Sequence, residues 1–227
     1  MKNLDHYRTM APLFAYPEAD FPVKLERIKS LLDAGYPAAA EKFEMFLGYL
    51  PTGDLLLIQE LFTRSFDIQA IATLDLGYVL FGDDYKRGEL LSNLNREHHQ
   101  AGNDCGSELA DNLANVLNLM SKLEDEELII DLAYAMVAPA LTEIIDEFDP
   151  ARMQKKSESY EKHYKTLIET PPVKNEAVTL YKFALESLYE VFKQDSAMIA
   201  EKPLRRKTSH FLISVTQENE IEQQAEA

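Results

Sequence analysis

Apolar residues recur at spacings of three and four along most of this chain, and strand-like alternation is nearly absent. That period marks helices that bury one face. Leu4, Tyr7, Met10, Ala11 and Phe14 trace the first face, and Pro12 is placed to kink or end it. Tyr16-Pro17 breaks the pattern, because a residue before proline is pushed out of the α region. Phe21-Pro22 opens a second helix that buries Leu25, Ile28, Leu31 and Leu32 and ends at Gly35. Pro37 opens a third, with Phe43, Phe46, Leu47 and Leu50 inward, closed by Pro51-Thr52-Gly53.

Asp54 reads as the N-cap of a fourth helix over residues 55–67. A fifth is predicted over 68–81. Gly82-Asp83-Asp84 forms a turn, and a sixth helix over 85–100 puts Leu90, Leu94 and His98 on one stripe. Residues 102–106 form a loop. Ser107 is predicted to begin a seventh helix, with Leu109, Leu113, Val116, Leu117 and Met120 inward. An eighth covers 125–148, and Pro139 inside it removes one backbone bond and should kink it. Residues 149–172 are more polar and basic and read as a partly helical connector. The last strong helix is predicted over 173–193, carrying Val178, Tyr181, Leu185, Leu188 and Phe192. Beyond it lie the basic triplet Arg205-Arg206-Lys207, a short apolar piece at 211–215 and an acidic end of low hydrophobicity, which reads as disordered. The sum is an all-α, single-domain bundle of about eight to ten helices joined by short connectors. It occupies residues 1–200, with a flexible tail over 201–227.

Composition narrows the function classes. The chain has 227 residues, 46% of them hydrophobic and 27% charged, enough to bury a core. Its net charge is −16 and its pI is near 4.7. A nucleic-acid binder needs Lys/Arg patches against phosphate, so that class is disfavoured, as is docking to an anionic membrane. Mean hydropathy is −0.27, and no uninterrupted apolar run approaches the ~20 residues that span a bilayer. MKNLDHYRTMAPLF carries charges throughout and is not expected to be a secretory leader. A single cysteine, Cys105, rules out an intrachain disulfide and suits a reducing cytoplasm.

Residues 61–120 hold the unusual chemistry. No phosphate-binding glycine loop, nucleophile elbow, HExxH or paired CxxC is present, so the reading is a non-enzyme without a cofactor of its own. His98, His99 and Cys105 come nearest to a metal set, and a helical metalloenzyme is the third reading. Adjacent histidines do not readily face one ion, so His98 is read as a buried residue at a helix C-terminus, with no metal. Asp67, Asp75, Asp83, Asp84, Glu108 and Asp111 lie among apolar residues. Such acids cap helices or hold a basic ligand. Glu108 and Asp111 are expected to share a face in the first turns of the seventh helix. Arg87-Gly88 inside a helix is unusual, because glycine there loses about 1 kcal/mol relative to alanine. Close approach of another backbone would explain Gly88, and Asp83 is the simplest partner for Arg87.

Four stretches, in this order, carry a resemblance: Leu13-Phe14-Ala15-Tyr16-Pro17, Phe62-Thr63-Arg64-Ser65-Phe66-Asp67, Gly82-Asp83-Asp84-Tyr85-Lys86-Arg87-Gly88 and Glu108-Leu109-Ala110-Asp111-Asn112-Leu113. The chain resembles the nitrate reductase delta-subunit family, within the wider group of redox-enzyme maturation chaperones. The likeness covers about the first 150 residues and rests on the ordered set rather than on any one motif. Ala110 stands where the family usually has proline, Asn112 where it has an aromatic residue or histidine, and Tyr85 where it has a base.

The resemblance implies a cytoplasmic, all-helical chaperone that is not a catalyst, acting as a monomer or weak dimer. Its partner would be the catalytic subunit of a molybdopterin oxidoreductase of nitrate-reductase type. It would bind the N-terminal segment of the apo subunit until the molybdenum cofactor is inserted, before membrane docking or export. A groove between helices can take an amphipathic segment, and an acidic rim would attract its basic residues. The expected peptide-binding residues are Tyr16, Phe66, Asp67, Leu74, Tyr78, Phe81, Glu108 and Asp111, with Asp83, Arg87 and Gly88 holding the site's shape. The alternative is a permanent helical adaptor or regulatory subunit of an oxidoreductase complex.

Overall fold

The structure is a computed structural model that describes residues 4–51, 53–163 and 179–200. The expectations for the connector beyond 163, for residues 173–178 and for the tail over 201–227 lie outside the described residues. The protein is all-α, and among the described residues no strand forms; the extended chain contributes one isolated bridge between Asp75 and Asn112.

In chain order the helices are α1 (Asp5–Met10), α2 (Phe21–Gly35), α3 (Pro37–Tyr49), α4 (Leu55–Phe66), α5 (Leu76–Phe81), α6 (Tyr85–Gln100), α7 (Leu113–Met120), α8 (Glu126–Asp131), α9 (Ala138–Glu147), α10 (Pro150–His163) and α11 (Leu180–Ala200). The starts read from prolines and acids hold. Asp54 accepts from the Leu57 amide at 3.1 Å, and Asp84, rather than Asp83, accepts from the Lys86 amide at 2.9 Å. Pro12 does end the first helix, which tightens into a 3-10 turn over Ala11–Phe14.

Three expectations are corrected. The fifth helix does not start at Ile68. The amides of Asp67 and Ile68 both turn back to the Thr63 carbonyl, and Gln69 sits at φ 50 in the left-handed region, so the chain leaves the helix there. Asp75 then pairs with Asn112, and only Leu76–Phe81 is helical. The seventh helix begins at Leu113, because Asn112 caps it by accepting from the Ala114 amide at 3.0 Å. Glu108 is therefore on a loop and shares no helix face with Asp111. The last helix runs on to Ala200 instead of stopping at Lys193.

Pro139 produces a wide turn. Leu132–Val137 winds as a π-helix between α8 and α9, and the Ala138 amide reaches the Ala133 carbonyl five residues back. Proline has no N–H for the carbonyl four residues earlier and crowds it, and one wider turn relieves both problems. The whole stretch Glu126–Glu147 has the length and hydropathy to cross a bilayer. Its buried side chains Leu132, Ala133, Met136, Val137, Ala140, Leu141 and Ile144 recur at spacings of three and four, so it buries one side.

The described chain divides into two compact units. The first takes residues 4–11, 75–140 and 192–200. Here α1 packs on α7, and α5 packs on both α6 and the π turn. Met10, Leu76 and Leu94 are fully buried. His6 Nε2 lies 2.8 Å from Asp195 Oδ2, and the Tyr7 hydroxyl donates to the same oxygen at 2.9 Å, fastening α1 to the last turns of α11. The second unit takes the described residues of 12–74 and 141–191. There α2 packs on α3, and the core is aromatic: Phe14, Phe21, Phe43, Phe46, Phe148 and Tyr181 are all under 2% exposed.

Candidate functional site

In the first unit a charged node forms around Arg87. The Leu76 amide donates to the Asp111 carbonyl at 2.9 Å beside the Asp75–Asn112 bridge, which stitches the start of α5 to the approach to α7. Arg87 stands in the first turn of α6 and reaches both sides of that stitch. Its Nε donates to Asp111 Oδ2 and its Nη2 to Asp75 Oδ2, each at 3.0 Å. Its guanidinium carbon lies 5.3 Å from the centre of the Tyr78 ring, close enough for a cation–π contact. Asp83, the expected partner, is exposed on the turn and takes no part.

Gly77 makes this approach possible. A Cβ built there would stand 2.6 Å from Asp111 Oδ2 and 2.9 Å from Leu90 Cδ2, whereas one at Gly88 would meet nothing within 4 Å. No backbone approaches Gly88; the crowded glycine is Gly77, and what crowds it is the side chains of Asp111, Leu90 and Arg87. Two carboxylates share one guanidinium, which leaves the node one negative charge in excess. Burial, and then the Asp111 charge, push the Asp75 carboxyl up despite Arg87. Burial works against the Arg87 charge, but the bonds and charges of Asp111 and Asp75 outweigh it and raise its pKa. Asp111 is fully buried, and its Oδ1 has no hydrogen-bond partner among the described residues.

The expected binding residues of this unit therefore split. Tyr78 is 43% exposed, Phe81 is half-buried and Glu108 is exposed. Asp111 is fully buried and bonded to Arg87. Two further exposed apolar residues stand nearby. Leu109 is 47% exposed, two positions before Asp111, and Tyr134 is 40% exposed on the π turn.

His98 is placed in the last turn of α6, as read from the stripe. His98 is buried; its Nε2 donates to the Ala110 carbonyl at 2.9 Å, and its Nδ1 accepts from the Asn103 amide at 2.9 Å. That fixes one neutral tautomer, and burial lowers the His98 pKa further than the Ala110 bond raises it. His99 points to solvent. Cys105 is a free, half-buried thiol pushed up by burial and by Asp104. Among the described residues no three His, Cys, Asp or Glu side chains are placed to hold a metal ion.

In the second unit Tyr16-Pro17 is docked on α4. Gln59 Nε2 donates to the Pro17 carbonyl at 2.8 Å, and the Tyr16 ring meets Phe62 edge-on, 5.9 Å between centroids. Phe62 continues the contact to Phe66 at 5.2 Å and to Tyr181 at 5.6 Å, and Phe66 touches Tyr181 at 5.1 Å. Tyr16 and Phe66 thus belong to one aromatic ladder, with Tyr16 55% exposed at its outer end. Asp67 is exposed just past α4, beside Ile68, which is 65% exposed, while Leu74 is buried. A cavity of about 290 Å³ opens elsewhere in this unit, lined by Lys42, Ile145, Glu186 and Tyr189 among others. Lys42 pairs with Glu186 at 2.9 Å, and that bond raises the lysine pKa. None of the residues chosen from the sequence lines it.

Three participants were noted in the sequence but left out of the expected site. Phe62 was legible as the residue one turn before Phe66. Asp75 precedes a short apolar helix like an ordinary cap, and only its pairing with Asn112 reveals it. Tyr181 lies far away in sequence and carried no local signal. No family model, no curated protein and no solved structure matches the chain.

Proposed function

We propose that the protein is a cytoplasmic assembly chaperone for the catalytic subunit of a molybdopterin oxidoreductase, of nitrate-reductase type. It binds the N-terminal segment of the apo subunit and releases it once the molybdenum cofactor is in place. One observation carries this reading: the four stretches that bear the resemblance fall into two spatial pairs. Tyr16-Pro17 of the first stretch sits on Phe62 of the second, and Arg87 of the third holds Asp111 of the fourth. Residues distant in sequence are spent on building two small surfaces.

Each surface has the chemistry a basic, apolar peptide needs. Tyr16 and Ile68 with Asp67 in one unit, and Tyr78 and Leu109 with Glu108 in the other, set exposed apolar area next to an exposed carboxylate. Aromatic rings supply contact area at low entropic cost, and rim carboxylates steer cationic partners. On this reading Arg87 and Asp111 hold the second surface from within through their 3.0 Å bond.

The test is capture of the tagged chain from native cytosol under anaerobic conditions, with mass spectrometry and molybdenum analysis of what is recovered. A catalytic oxidoreductase subunit poor in cofactor is the expected catch. A complete active multi-subunit enzyme would favour the permanent adaptor, and no oxidoreductase at all would sink both readings. With a synthetic peptide of the recovered subunit's N-terminus, Asp67→Ala is expected to weaken binding by about 1–3 kcal/mol without unfolding.

A further inference from the structure

The loop after α6 is tied down by a histidine that must be neutral. Ala110 offers only a carbonyl, so His98 Nε2 carries the ring proton and donates to it at 2.9 Å. Nδ1 is then a bare lone pair, and it accepts from Asn103 Nδ2 at 2.9 Å. The same Nδ2 donates to the Asn115 carbonyl at 3.3 Å, which joins the loop to α7. His98 is 2% exposed and Asn103 9%, so water does not stand in for a lost partner. Protonation turns Nδ1 into a donor and sets two N–H groups face to face. Turning the Asn103 amide over to suit the imidazolium would press its oxygen against the Asn115 carbonyl. The pair therefore has no second arrangement, and the Asn103 side chain has to leave.

What leaves with it is short. Gly102 and Gly106, at φ 59 and φ 60, bracket Asn103-Asp104-Cys105 with left-handed turns in open space. Asn115 Nδ2 reaches the Cys105 carbonyl with a bond of 3.2 Å, near the long limit. Ala110 is different, because the imidazolium still donates to it from Nε2. The titratable groups around His98 are Asp104, Cys105 and Glu108 on the loop, Glu97 and His99 beside it on α6, Tyr78 on α5 and Lys122 beyond α7, while α7 itself carries none. Asp111, next to Ala110, is already bonded to Arg87. Lys122 fixes its Nζ on the Gly102 carbonyl at 2.9 Å. Burial works most against a charged His98, the Ala110 bond favours it, and Lys122 works against it.

We propose that His98 is an acid-sensitive latch. Its protonation expels the Asn103 side chain and frees residues 103–105 from α7, while Ala110 and the neighbouring Arg87–Asp111 pair stay in place. The loop is closed at neutral pH and open on the acid side of the ordinary histidine range. The latch stands without the chaperone reading, because its opening can be read with no client present.

Cys105 is the chain's single cysteine and lies inside the released segment, where it is part-buried. Its rate with a dipyridyl disulfide in the full chain, divided by the rate of the urea-unfolded chain at the same pH, reads the opening. That ratio should rise several-fold between about pH 7.5 and about pH 5, with its midpoint below about 6.5. Circular dichroism should stay unchanged, and the ratio at the acid end should not respond to urea below the unfolding transition, which separates a local opening from a global one. His98→Gln should flatten the profile. Asn103→Asp, which offers the imidazolium an acceptor, should flatten or reverse it. A dependence equal to wild type in either variant would overturn the proposal. So would a wild-type ratio that is constant across this range, or one that climbs with urea as global unfolding does.

Discussion

Removing the guanidinium from Arg87 should strand a buried charge. In Arg87→Met the aliphatic stem stays and the two bonds to Asp75 and Asp111, each 3.0 Å, go. At an effective dielectric of about 20, unit charges that far apart attract by about 5 kcal/mol, and breaking one partner of an interior pair typically destabilises by about 3–5 kcal/mol. Which carboxylate sets that figure follows from exposure. The Asp75 side chain is 26% exposed and can regain water, so its share is small. The lost contact over Tyr78 adds about 0.5–1 kcal/mol. Asp111, at 0% exposure, has no recourse and carries the rest. Urea unfolding followed by far-ultraviolet circular dichroism should show a loss of about 3–5 kcal/mol for Arg87→Met. Adding Asp111→Asn to it should recover at least about 2 kcal/mol, because the stranded charge is gone. Because the pair is interior, salt at about 0.5 M should leave the loss unchanged. A loss below about 1 kcal/mol, or one that salt abolishes, would mean that Arg87 forms an ordinary surface pair and that the node does not organise the unit.

Other substitutions probe separate features. Gly77→Ala should destabilise by about 1–3 kcal/mol through overpacking against Asp111 and Leu90. Gly88→Ala, open on all sides within α6, should stabilise by up to about 1 kcal/mol in the same unfolding assay. The Tyr181 hydroxyl is buried without a partner among the described residues, and burial pushes its pKa far up. Tyr181→Phe should therefore raise stability by about 1–2 kcal/mol, and a fall would show that the hydroxyl is hydrogen-bonded after all. His98 has its folded pKa lowered by burial, so its contribution is present above the ordinary histidine range and is lost as pH falls through it. Wild type should lose stability from about pH 6.5 downward, more steeply than His98→Gln; equal slopes would show that His98 does not titrate with unfolding.

Much of the fold was legible because its signals are local. Proline at helix starts, the Asp54 and Asp84 caps and the three-and-four spacing place α2, α3, α4 and α6 within a residue or so. The losses came where a distant partner overrides the local pattern. Residues 68–75 have the apolar spacing of a helix, yet the left-handed Gln69 and the pairing of Asp75 with Asn112 draw them out of it. Residues 107–112 read as a first helical turn until Asn112 takes the cap and Asn115 reaches back to the carbonyls of Cys105 and Leu109, at 3.2 and 2.9 Å. Asp75 and Asn112 are 37 positions apart, so no local window joins them, whereas the Asn112 cap and the Asn115 bonds span ten residues at most.

The same limit explains the site. Arg87 was singled out because arginine and glycine are odd neighbours inside a helix, and the oddity was real but misassigned. Gly88 is incidental, while Gly77, eleven residues earlier, is where a missing side chain lets the Asp111 carboxylate and the Arg87 side chain come against the backbone of α5. Asp111 was chosen as an acid that would face a ligand. It faces Arg87, and the residues left at the surface are Tyr78, Leu109 and Glu108. A motif that looks like a row of ligand contacts in sequence is thus, in space, one buried ion pair that holds a small apolar and acidic surface in place. On the proposed peptide-binding role, substitution of Arg87 should change binding and stability together, whereas substitution of Glu108 should change binding alone.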